Sequence, residues 1–301
     1  MSDVIGSRAA PPTAATPEID LEELARMRRR RLERVAAWVL PALVMAAMLW
    51  GWDWMVRAYA IPHYILPGPG RVADTLVTEW PSLAASLMIT LKTTFLALSL
   101  AILLGGGLAV LFSVSRWAEL SFFPYAVILQ VTPVIAIAPL IFIYVSDVNL
   151  GLFIIEEKLV GLLICAWLVT FFPILSNTTL GLNSADHNLR DLFRIYGASR
   201  WQTLWYLQMP AAMPYFLGGL RIAGGLALIG AIVAEFVAGT GGTGSGLAFR
   251  ILEASYRLQV PKMFAALILI AVTGILIFAA TSLISHLVLR RWHESAVRRD
   301  R

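Results

Sequence analysis

Six runs of apolar residues dominate the chain, at about 36–56, 86–113, 121–145, 159–177, 215–237 and 263–288. A helix needs about 20 apolar residues to cross the hydrocarbon core of a bilayer, and each run meets or approaches that length. The polar stretches between them are mostly too short for a folded domain. The pattern therefore predicts an all-α, polytopic membrane protein with about six transmembrane helices. A basic tail at 1–35, partly disordered, precedes the membrane domain at 36–288, and a second basic tail at 289–301 follows it.

One polar stretch stands apart. Between the fourth and fifth runs the chain reads "ADHNLRDLFRIYGASRWQTLWYLQMPAAMPYF", starting at Ala185. Within it, 187–195 reads as a short amphipathic helix, with Leu189, Leu192, Phe193 and Ile195 on one side and Arg190, Asp191 and Arg194 polar. Gly197 follows, the residue type that most readily takes the left-handed conformation closing a helix. Ser199 then restarts a helix, and Gln202 three residues on completes a capping-box pattern, each side chain answering the other's backbone N–H. Pro210 and Pro214 are expected to end that helix and turn the chain into the fifth run. The segment 185–210 is thus predicted to be a helix–turn–helix at one membrane face.

Composition and charge agree with a membrane protein and orient it. Of 301 residues, 58% are hydrophobic and 14% charged, against roughly 25% charged in an ordinary soluble domain. The net charge of +5 does not indicate nucleic acid, because the basic residues gather at the chain ends, "RMRRRRLER" before the first run and "RRWHESAVRRDR" after the last. Lys and Arg beside membrane spans mark the cytoplasmic side, and an even number of spans puts both ends there. The first run begins after about 35 residues, long for a signal-peptide n-region, so it reads as a retained anchor. Cys165 is the single cysteine and lies in an apolar run, which excludes an internal disulfide and a cysteine-based metal site.

The polar segment is similar to the "EAA" signature of ABC importer permeases: an acidic residue, small residues, an obligatory Gly, and an apolar helix closing on a Pro. Asp191, Gly197, Ala198 and Pro210 match it; Asp191 stands where the signature has Glu, and Phe193 where it has a small residue. "FFPILSNTTLGL" (Phe171 to Leu182), "RIAGGLALIGAIVAEF" (Arg221 to Phe236) and "GTGGTGSGLAFR" (Gly239 to Arg250) resemble the nitrate/sulfonate/taurine branch of these permeases, which includes relatives for pyrimidine and flavin vitamins. The resemblance covers about 85–301. It implies a permease subunit, not an enzyme, in an inner membrane. Two copies would line one path, a cytosolic ATPase would dock on the coupling segment, and an extracytoplasmic binding protein would deliver the solute. No cofactor is expected in this chain, ATP belonging to the partner. Asp191, Tyr196, Gly197, Ala198, Ser199, Arg200 and Pro210 are the expected docking residues.

No Walker A pattern occurs, so no P-loop is expected here. Gly239, Gly241 and Gly244 spell G-x-G-x-x-G, but after an apolar run and not after a strand, so they read as an outer turn or a re-entrant element. Ser245 belongs to the outer loop and His286 lies near the inner end of the sixth run, which argues against an intramembrane protease. Gln130 and Thr132, beside Pro133 in the third run, are pathway candidates, because freed backbone groups at membrane depth are tolerated where they line a cavity. Glu235, near the end of the fifth run, is a candidate gate residue, and would serve proton coupling in the alternative of a stand-alone secondary transporter. The glycines at 105–107, 218–219 and 224–225 read as helix-packing positions, and Arg221 as a side chain reaching for the interface.

Overall fold

The computed structural model describes residues 21–145, 148–149, 154–239 and 244–290. Gly241, most of the N-terminal tail and the final basic residues lie outside them. The chain divides into two units, residues 1–60 and 61–301.

The described part of the first unit is α1 (Leu21–Ala58), one helix of 38 residues that runs through Pro41. From Leu21 the charged stretch of the expected tail is helical and continuous with the first apolar run. An Arg57–Asp53 ion pair (2.8 Å) closes its last turn.

The second unit opens with the amphipathic α2 (Pro69–Thr78), which the apolar-run reading did not anticipate, and the long α3 (Trp80–Val114). The third apolar run is not one straight helix. It is α4 (Arg116–Val131) and α5 (Val134–Tyr144), bent by 102° at Thr132–Pro133. Proline disfavours helical backbone in the residue before it, and Thr132 is extended there, at φ −71° and ψ 123°. A short antiparallel pairing, Val148 with Ile155 and Asn149 with Ile154, links α5 to α6 (Glu157–Asn183).

Next come α7 (His187–Ile195), α8 (Arg200–Thr203), a π turn over Leu204–Gln208 and α9 (Met209–Ala238). The unit ends with α10 (Leu247–Tyr256) and α11 (Val260–Leu289). Among the described residues, five helices are long and apolar enough to cross a membrane, six if the bent α4–α5 pair counts as one span.

Helix α6 is the centre of this unit, packed along both α9 and α3. The hydrophobic effect does not drive apolar helices together in lipid, so close packing must. Small residues permit it. A Cβ on Gly181 would lie 2.8 Å from Ala212 Cα, one on Gly219 2.9 Å from the Pro173 oxygen, and one on Gly230 2.9 Å from Ala166 Cα. On α3 the buried stripe Thr90, Thr94, Ala97, Ala101, Gly105, Ala109 repeats every three or four residues, one face of a helix. Several buried hydroxyls donate to carbonyls one turn back, as in Thr94 to Thr90 (2.7 Å) and Thr170 to Ala166 (2.6 Å), whereas those of Thr93 and Thr179 find no partner.

The packing role expected of the glycines fails at four of seven positions. Gly105, Gly219 and Gly224 are pressed against neighbours, whereas Gly106, Gly107, Gly218 and Gly225 face open space. Glycine pairs look alike in sequence, but only one member of each adjacent pair can face the same neighbour.

Candidate functional site

The α7–α8 segment is a knob built by local rules. Asp186 starts α7, its carboxylate accepting from the N–H groups of Asn188 (2.7 Å) and Leu189 (3.4 Å). Gly197 ends it at φ +69°. Ala198 N–H bonds back to the Phe193 oxygen (2.9 Å) and Gly197 N–H to the Arg194 oxygen (3.1 Å), the paired bonds of a Schellman closure. The capping box forms as the sequence indicates: Gln202 N–H donates to Ser199 Oγ (3.2 Å), and Ser199 N–H to Gln202 Oε1 (2.7 Å).

Arg190 ties the knob to the bundle by donating from Nη2 to the Leu182 oxygen at the end of α6 (2.8 Å). That carbonyl belongs to the last turn of a helix and has no partner within it. Neither this tether nor the Asp186 cap was identified from sequence. An Asp just before a helical pattern was a readable signal, whereas the reach of Arg190 across the loop was not.

The expected helix end at Pro210 is not found. From Arg200 to Ala238 the chain is one helical run of 39 residues. A proline ring collides with the carbonyl four residues back and supplies no N–H. The π turn just before Pro210 widens the backbone, with Met209 N–H bonding the Leu204 oxygen five residues back, and this accommodates the proline inside the run. Pro210 consequently sits half-buried at the root of α9. Asp191, Tyr196, Gly197, Ser199 and Arg200 lie exposed on the knob, with Ala198 half-buried beside them. No residue of α7 is buried: Leu189 is 46% exposed, Leu192 45% and Ile195 81%. Tyr196 and Trp201 beyond it are also exposed.

At the other end of α9, Glu235 is only 3% exposed and fully engaged. One carboxylate oxygen accepts from Thr90 Oγ1 of α3 (2.8 Å), the other from Ala248 N–H in the first turn of α10 (3.0 Å). Thr90 Oγ1 in turn accepts from Leu247 N–H (2.9 Å). The acid thus caps α10 from a different helix, and a Cβ on Gly246 would overlap its carboxylate.

Arg250 of α10 donates to Ser86 Oγ on α3 (2.9 Å) and pairs with Glu253 (2.8 Å). The hydrogen bond from Arg250 to Glu253, together with the charges of Arg250 and Arg257, holds the Glu253 carboxyl below its ordinary range. The second half of the Gly-rich stretch is therefore an anchored helix.

Gln130 and Thr132 meet at the bend between α4 and α5. They line a cavity of about 470 Å³ whose other walls include Leu168, Val169 and Pro173 of α6 and Ile229 of α9. No charged side chain lines it. Ser245 is buried beside Glu235, far along the fold from His286 in the last turn of α11. No cluster of metal-ligating side chains occurs among the described residues.

Residues 101–293 match the model of the binding-protein-dependent transport system inner membrane component. The chain is 33% identical to the riboflavin transport system permease protein of Chloroflexus aurantiacus, over 85% of this chain and 90% of that one. It is 32% identical to the formylaminopyrimidine transport permease protein of Halalkalibacterium halodurans, over 83% and 94%. With the putative aliphatic sulfonates transport permease protein of Bacillus subtilis it shares 28% over 89% and 91%. Among solved structures, the inward-facing MetNI methionine ABC transporter superposes with a TM-score of 0.57 at 19% identity, covering 68% of this chain and 95% of that one.

Proposed function

Since this chain belongs to the family of binding-protein-dependent transport system inner membrane components, and is accordingly a multi-pass permease subunit of an ABC importer that works with ATPase and binding-protein partners, we propose that its α7–α8 knob is where the ATPase docks. The observation that carries this is the knob itself. An apolar and aromatic surface of Leu189, Leu192, Ile195, Tyr196 and Trp201 is left uncovered on a frame closed at both ends by backbone hydrogen bonds. Amphipathic helices seat in partner grooves through such faces. The basic chain ends support a cytoplasmic knob, with ATP bound and hydrolysed on the partner.

The mechanism follows from the continuity of the helical run. Its 39 residues span about 58 Å at 1.5 Å per residue, with the knob at one end and Glu235 at the other. A displacement imposed on the knob is carried through the run to Glu235, and from Glu235 to α10 and α3. Glu235 is then a positioning residue for the outer mouth. Both its oxygens are engaged, and this supports ATP-driven gating over the proton-coupled alternative. Two copies of the chain line one path, and the bend with Gln130 and Thr132 faces it.

The solute proposed is a pyrimidine- or flavin-type heterocycle. The cavity at the bend offers an amide, a hydroxyl and apolar walls but no cation. That suits a neutral ring with hydrogen-bonding edges better than a sulfonate or nitrate anion. Reconstitution with the ATPase and binding protein in vesicles tests the whole reading: ATP-dependent uptake of a pyrimidine or flavin and a stoichiometric permease pair are expected. Purification without an ATPase would overturn the docking role, and uptake of sulfonates alone would overturn the solute.

A further inference from the structure

Two cavities lie next to one another at the knob end of α3. The first, about 500 Å³, is lined by Arg190, Arg194 and Arg200 and contains no carboxylate. Its floor is Ser113 and Val114, in the last turn of α3. Arg190, one of its walls, has its Nε buried without a hydrogen-bond partner, and the ion pairs among the described residues lie elsewhere. Three guanidinium groups around one cavity repel each other unless an anion sits among them.

The second cavity, about 360 Å³, is apolar and runs along α3 from Ile102 to Val110, with Met209, Met213 and Phe216 of α9 opposite. Gly106 and Gly107 leave its floor open. Val110 is one helical turn from Ser113 and Val114, and Met209 adjoins Gln208 of the basic cavity. A basic chamber at the end of a span therefore continues into an apolar groove about two turns long within the membrane-crossing part of the same helices.

We propose that these cavities form one site for an anionic phospholipid, its phosphate held by Arg190, Arg194 and Arg200 and an acyl chain in the α3–α9 groove. An acidic side chain of the ATPase would answer the charge but not the apolar groove. The paired N–H groups of an arginine match two phosphate oxygens in bidentate fashion, and Lys or Arg near a membrane surface favours anionic lipid by about fivefold per charge. The bound lipid would brace the knob against α3, beside the residues proposed to meet the ATPase.

The test is native mass spectrometry of the full-length permease, purified in mild detergent with phosphatidylglycerol or phosphatidylcholine added. Selective retention of phosphatidylglycerol is expected, weakened by about tenfold or more in the Arg194→Gln/Arg200→Gln variant. Gly106→Phe, which fills the groove, should weaken it independently with all arginines in place. Equal retention of the two lipids, or retention indifferent to both variants, overturns the proposal. Displacement of phosphatidylglycerol by inorganic phosphate at millimolar concentration would reduce the site to a free-anion site. Arginine substitutions that spare lipid retention but abolish ATPase co-purification would assign the chamber to an acidic segment of that partner.

Discussion

Replacing Gly197 tests whether the knob works through its backbone conformation. Gly197 has φ +69°, and a Cβ built there has no neighbour within 4 Å. A clash with surrounding atoms therefore contributes nothing, and the penalty is conformational alone. An ordinary L-residue in this region costs about 1–2 kcal/mol; Asn tolerates it best and a β-branched residue worst. The expected order of damage is Asn, then Ala, then Val.

The bonds at risk are Gly197 N–H to the Arg194 oxygen and Ala198 N–H to the Phe193 oxygen. Since 1.4 kcal/mol is tenfold in an equilibrium, amide-exchange protection at Ala198 should fall about five- to thirtyfold in Gly197→Val, with α6 and α9 protection unchanged. ATPase affinity falls by the fraction of knobs that remain closed, and uptake is uncoupled from hydrolysis while the chain still inserts. A Val variant with wild-type protection, or one whose protection falls while ATPase affinity and uptake stay at wild-type levels, would refute the reasoning.

Glu235→Gln leaves a buried network one acceptor short, and the detergent-solubilised protein should lose about 1–3 kcal/mol of stability in thermal unfolding. Gly246→Ala, which drives a methyl into the same carboxylate, should be worse and release α10 to proteolysis. Gly230→Leu should prevent α6 and α9 from closing at Ala166, seen as loss of monodisperse protein in size-exclusion chromatography. For pH, Glu253 is held below its ordinary range chiefly by the Arg250 hydrogen bond. Its contribution is full above the unfolded carboxylate range and is lost as pH falls through its lowered folded value. Exchange of α10 amides should therefore accelerate toward acid, and Glu253→Gln should remove that part of the pH dependence.

Much of this protein is written in short-range pattern. Spans are legible because lipid demands continuous apolar length, and the apolar runs fall within helices at five of six places, the third being the bent pair α4–α5. The knob is legible because helix ends are closed within a few residues of themselves. Ser199 with Gln202, and Gly197 after α7, needed no distant partner to be read, and the family resemblance rested on the same stretch.

What tertiary structure decided depends on residues far apart in the chain. Glu235 looked like a lone intramembrane acid because its partners are Thr90, 145 positions away, and an N–H beyond a glycine-rich stretch. α2 and α10 were missed because a ten-residue amphipathic helix is too short to show as an apolar run. The 102° bend at Pro133 and the continuous helical passage through Pro210 come from one residue type with opposite outcomes. A proline removes a single hydrogen bond and adds a single clash. Whether the chain then breaks, or widens by one π turn and continues, is settled by the helices packed around it.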